Sequence, residues 1–118
     1  MDKPSEETVA IITAAYEAFN TRNIDAATSL MTDDVMWARA WEGGYAHGHD
    51  GVRGYWEGQW LEIVGHVTPV SMSVAEDGRV LVEVDQKVQS HAGELIFEGR
   101  VQHAFTLRTD LVARFDVI

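Results

Sequence analysis

The sequence contains no cysteine, which excludes disulfides, zinc–thiolate sites and thiol nucleophiles. Basic residues are scarce: nine Lys and Arg against nineteen Asp and Glu leave a formal charge of −10. Nucleic-acid binding needs a basic footprint on phosphate, so that class is excluded as well. Two prolines in 118 residues, with no low-complexity tract, leave no linker, and a chain of this length forms one domain, residues 1–118. No apolar run approaches the roughly 20 residues of a membrane span. The opening "MDKPSEET" is polar and acidic, unlike the basic and then apolar start of an export signal. These absences together predict a cytoplasmic protein without a membrane or nucleic-acid partner.

What is present is aromatic. Four Trp, three Tyr and four Phe offer material for a core or for the wall of an apolar cavity. Val9, Ile12, Tyr16 and Phe19 recur at helical spacing and predict a first helix over residues 5–21. A short second helix follows at "AATSLM", capped by Asp25. "VMWARAW" alternates as a strand, and a shorter strand fits residues 45–47. Asp50 or Gly51 opens a third helix running to Val64, with Val52, Tyr55, Trp56, Trp60 and Ile63 on one face. The remainder alternates as four strands, about 66–75, 79–90, 95–108 and 111–118, separated by "EDG", "SHAG" and "TD". Helices first and a meander of long hairpins after them predict an α+β layout, with a bent sheet wrapping the helices around a pocket.

Three stretches carry a resemblance: "AAYEAFNTRNIDAATSLMTDDVMW", "HGHDGVRGYWEGQW" and "VQHAFTLRTDLVARFDVI". Together they are similar to the nuclear-transport-factor-2-like (NTF2-like) superfamily, and more narrowly to its SnoaL-like branch. The resemblance implies a cone-shaped barrel of three N-terminal helices on a curved, mostly antiparallel sheet, a ligand cavity in the cone, and a homodimer. It implies a small apolar or carbonyl-bearing ligand. For a catalyst it implies cofactor-free, metal-free proton transfer: isomerisation, cyclisation or dehydration. A non-enzymatic ligand-binding or protein-interaction module is the alternative. The fold itself does not choose between them.

Candidate residues follow. His103 interrupts an otherwise apolar strand face made by Val101, Phe105 and Leu107, as a group bordering a cavity would, and an imidazole there can donate a hydrogen bond or shuttle a proton. Asp116 lies across a tight hairpin, and SnoaL-like cyclases resemble this His–Asp order, so it is the expected acid/base partner. Tyr16, in the first helix, matches an oxyanion-donating tyrosine of ketosteroid isomerases. Their general base matches Arg39 here, and a guanidinium is no base near neutral pH. Arg39 is expected to hold an enolate or carboxylate instead. Asp85 resembles an aspartate of limonene-epoxide hydrolases, although Glu83 stands where they carry an arginine. Phe19, Trp37, Trp56, Trp60 and Phe105 are expected to line the cavity. In "AHGHD", His47 and His49 lack further ligands, so no metal is expected. Valines between Val80 and Val88 suggest an apolar outer sheet face and a homodimer through it.

Overall fold

The computed structural model describes residues 2–118. Helix α1 (Glu6–Asn20) starts where the Ser5 hydroxyl accepts the Thr8 N–H at 3.1 Å, relieving one of the open donors of the first turn. Its buried stripe is Ile12, Ala15, Tyr16 and Ala18. Helix α2 (Ile24–Thr28) is capped by Asn23, whose side chain accepts from the Ala26 N–H. Asp25, the expected cap, lies inside the first turn and pairs with Arg53. The helix stops at Thr28 because the next residues have a better partner. Strand β1 (Met31–Ala38) begins three residues later, running parallel to the last strand, and the Val112 N–H reaches the Leu30 carbonyl at 2.8 Å.

After β2 (Tyr45–His47) comes α3 (Gly48–Glu62), which opens earlier than "HDG" suggests; Gly48 takes the left-handed φ of +71° at its start. Strands β3 (Ile63–Val74), β4 (Val80–Ser90), β5 (Leu95–Arg108) and β6 (Leu111–Val117) follow. Thr109 and Asp110 both have positive φ, as a two-residue hairpin turn of primed type requires. The six strands form one curved, open sheet in the order β2-β1-β6-β5-β4-β3, antiparallel except for the β1–β6 pair. The Asn20 side chain clamps α1 to this sheet, donating to the Val67 carbonyl at 2.7 Å and accepting the Val67 N–H at 2.9 Å.

The core fills the concave side. Phe105 and Val35 are fully enclosed and Trp56 is 1% exposed; burial of such side chains contributes about 1.5–3 kcal/mol each. In β4, Val80, Val82, Val84 and Val88 are all buried, so they share the inward face and alternate with Leu81, Glu83, Asp85 and Lys87 on the outside. The outer face of β4, expected to be apolar, is therefore polar apart from Leu81, because every valine of the run lies an even number of residues from the next.

Candidate functional site

The concave side of the sheet does not close completely on the helices. Between them lies a cavity of about 270 Å³ lined by Tyr16 and Phe19 from α1, Trp37 from β1, Tyr55, Trp56 and Gln59 from α3, and His103, Phe105 and Phe115 from the sheet. Its size lies just below the usual range of ligand pockets, about 300–1,000 Å³. Trp37 stacks on Phe115 with centroids 4.0 Å apart, and Trp56 meets Trp37 edge-on at 5.1 Å, so the wall is rigid and flat-sided. No Asp, Glu, Lys or Arg is among its lining residues.

Inside this apolar shell sits one polar pair. The Tyr16 hydroxyl is 2.8 Å from Nδ1 of His103, and the two residues are 5% and 6% exposed. Burial lowers the His103 pKa to about 4 and raises that of Tyr16 well above the phenol range. Both are therefore neutral near pH 7. The described residues bond nothing to Nε2 of His103, and Nε2 is not sealed among the unpartnered buried atoms, so it opens on the cavity. Two hydrogen arrangements satisfy the pair. Tyr16 donates to Nδ1 and His103 presents Nε2–H, or Nδ1–H donates to Tyr16 and Nε2 presents a lone pair. Either way the pair offers the cavity one donor and one acceptor without a charge.

A second polar group stands on α3. The Tyr55 hydroxyl accepts the Ala40 N–H at 3.0 Å and the Gln59 side-chain amide at 2.9 Å. Its pKa is raised, chiefly by burial. Trp41, on the turn that Tyr55 holds, lines the cavity while 58% exposed.

Residues 12–115 match the SnoaL-like domain family. The chain belongs to that family. No curated protein matches it. Among solved structures, an NTF2-like protein of unknown function from Burkholderia pseudomallei superposes with a TM-score of 0.83 at 19% identity, covering 97% of this chain and 91% of that one. TerC, co-crystallised with polyporic acid, gives 0.82 at 24%, covering 96% and 91%. A candidate polyketide cyclase from Xanthomonas campestris gives 0.83 at 17%, covering 95% and 89%. At these identities the likeness establishes the fold: three helices on a curved NTF2-like sheet.

The SnoaL-like domain brings Tyr16, His103, Phe19, Trp37, Trp56 and Phe105 to one cavity. It does not bring Asp116 there. Val117 is the residue opposite His103, and Asp116 stands opposite Ala104, so its side chain leaves by the outer face. There it accepts from the Tyr45 hydroxyl and from Arg114 Nε at 2.9 Å. Partial burial pushes its pKa up, but those two partners outweigh burial and hold it below the usual carboxylate value. Asp85 is also on the outer face, paired with Arg100 at 2.6 Å. Arg39 lies past the end of β1, where its Nε closes a turn on the Gly43 carbonyl at 2.9 Å. Trp60 stands behind the wall, against Phe19 and Trp56, with its indole N–H buried and unpartnered among the described residues. His49 is tied to the Met31 carbonyl at 3.0 Å. Sequence reasoning missed Gln59 and Gln86 as lining residues. Gln86 carried a signal: it falls on the valine face of β4.

Proposed function

We propose that this SnoaL-like protein binds a flat, neutral, apolar molecule bearing a carbonyl oxygen and moves a proton on it without a cofactor. The buried Tyr16–His103 pair, in an aromatic cavity lined by no charged side chain, carries the reading. An uncharged wall favours an uncharged ligand, because an ion would lose its hydration with no countercharge in return. The pair supplies hydrogen bonding at one place in that wall, which suits a single oxygen.

The same pair can relay a proton with no ion formed on the protein. Nε2 takes the proton from the carbon next to the carbonyl, Nδ1–H passes its proton to the Tyr16 oxygen, and the Tyr16 O–H delivers its own to the carbonyl oxygen. The ligand becomes its enol, and the pair ends in its other tautomer. Reversal at a different carbon completes an isomerisation. General acid–base groups of this kind supply about 10²–10⁴-fold in rate. Asp116 and Asp85 take no part. A cytoplasmic location, which the acidic, cysteine-free composition supports, belongs to the same reading.

Binding without turnover is the second reading. One observation favours it: His103, with its pKa lowered to about 4, is a weak base. Deuterium exchange separates the two. With 2-tetralone, a flat bicyclic ketone, in D2O, NMR is expected to show faster loss of the protons beside the carbonyl, and His103→Gln and Tyr16→Phe to lose about a hundredfold of that acceleration. Binding of the ketone without acceleration removes the catalytic reading. Failure to bind removes both.

A further inference from the structure

The inward face of β4 is a row of valines broken once, by Gln86. Its side chain is half-buried and lines the cavity. The other three glutamines of the chain donate their side-chain N–H within the protein: Gln59 to the Tyr55 hydroxyl, Gln89 to the Gly93 carbonyl and Gln102 to Glu83. Gln86 alone has no hydrogen-bond partner among the described residues. A partly desolvated amide with no partner is unfavourable, and a valine would continue the row without that cost. A ligand group that bonds the amide removes the penalty.

The surroundings of Gln86 suit such a group. Across the sheet it stands between Val67 of β3 and Gly99 of β5. The ring of Phe97 lies over Gly99, where a Cβ would stand only 3.3 Å from its Cζ. Phe97 also lines the cavity and is 38% exposed, so this end is the open one and the Tyr16–His103 pair closes the other. His103 stands opposite Val82, four residues from Gln86 along the same strand. Four residues span about 13 Å at a rise of about 3.3 Å each. A hydrogen bond of about 2.9 Å at either end leaves about 7 Å between two ligand oxygens, the span of two fused six-membered rings.

We infer that Gln86 is a specificity-determining residue: the flat ketone held at Tyr16 and His103 carries a hydroxyl at its opposite end, and that hydroxyl bonds the Gln86 amide beside Phe97. A hydroxyl fits because it both donates and accepts, as the amide does. A carboxylate or an ammonium at this end would find no countercharge among the lining residues. The inference rests on the proposed function for the carbonyl end of the ligand and adds the far end.

Three ketones test it by NMR titration at neutral pH. They are 2-tetralone, 6-hydroxy-2-tetralone, whose hydroxyl lies at the end of the ring system far from the carbonyl, and 8-hydroxy-2-tetralone, whose hydroxyl lies on its flank. The wild type is expected to bind the 6-hydroxy compound about fivefold more tightly than 2-tetralone, the scale of one net hydrogen bond, and to show no such preference for the 8-hydroxy compound. In Gln86→Val the ratio of the first two affinities is expected to fall to about one. The side-chain amide resonances of Gln86 supply a readout that needs no variant, since they are expected to shift further with the 6-hydroxy compound than with 2-tetralone. Failure of all three ketones to bind overturns the proposed function and this inference with it. Binding of 2-tetralone with no preference for the 6-hydroxy compound, an equal preference for the 8-hydroxy compound, a preference that survives Gln86→Val, or amide resonances that respond alike to 2-tetralone and its 6-hydroxy derivative overturns the inference alone.

Discussion

His103 and Asp116 lie on hydrogen-bonded neighbouring strands and point to opposite faces of the sheet, because the residue directly across from His103 is Val117. One imidazole borders the cavity among aromatic rings with Tyr16, and one carboxylate is paired outside with Arg114. The two are thereby separable by mutation.

Asp116→Asn is expected to leave ketone binding and deuterium exchange unchanged and to cost about 1 kcal/mol or less, the usual scale for a partly exposed ion pair. His103→Gln is expected to keep the fold and lose the exchange. Measuring both variants on 2-tetralone checks the assignment; a large loss in Asp116→Asn would return the outer face to the site.

Tyr16→Phe leaves Nδ1 of a buried histidine without its partner. Such an orphaned polar group costs about 1–3 kcal/mol. Replacing both, as Tyr16→Phe with His103→Leu, is expected to cost less than the sum of the single changes, since the two act on one bond. Urea denaturation of the four proteins gives the coupling energy.

The lowered pKa of His103 makes stability depend on pH. The unfolded histidine titrates near 6.5 and the folded one at about 4, so between those values the unfolded state binds more protons and stability rises with pH. The contribution is complete above about pH 6.5 and is lost as pH falls toward 4, a change on the order of 3 kcal/mol. Asp34, Asp77 and Asp116, whose pKa values are lowered from 3.8, act below that window. Urea melts at several pH values are expected to show the slope in the wild type and a flatter profile in His103→Gln.

Phe105 is fully enclosed and meets the rings of Tyr16, Trp37 and Phe115 at 5.6, 6.2 and 5.2 Å. Phe105→Ala is expected to cost about 3–5 kcal/mol. It is also expected to enlarge the cavity toward His103, so a ketone bulkier than 2-tetralone should gain in affinity relative to it, measurable by NMR titration.

Local pattern alone determined much of this protein. The stripe through Ile12 and Tyr16 makes a helix because its spacing matches 3.6 residues per turn. The alternation through Val80–Val88 and Val101–Leu107 makes strands because side chains there change face at every residue. The His103 anomaly was legible for the same reason: a polar side chain on an apolar face must meet either a partner or a cavity, and here it meets both. The α+β layout followed from such patterns, whereas the SnoaL-like fold was legible only through the resemblance of whole stretches to that family. What tertiary structure decided is phase and pairing. Asp116 alternates with Phe115 and Val117 in any strand, but only the β5–β6 register shows which of them faces His103. Met31 left a predicted helix for a strand because β6 offered it a parallel partner distant in sequence. Arg39 and Trp60 fell outside the cavity because a turn closed by Gly43 and the rings of Phe19 and Trp56 hold them elsewhere. Pattern within a segment is set by nearest neighbours along the chain, whereas register and facing are set by contacts between segments, which no single segment encodes.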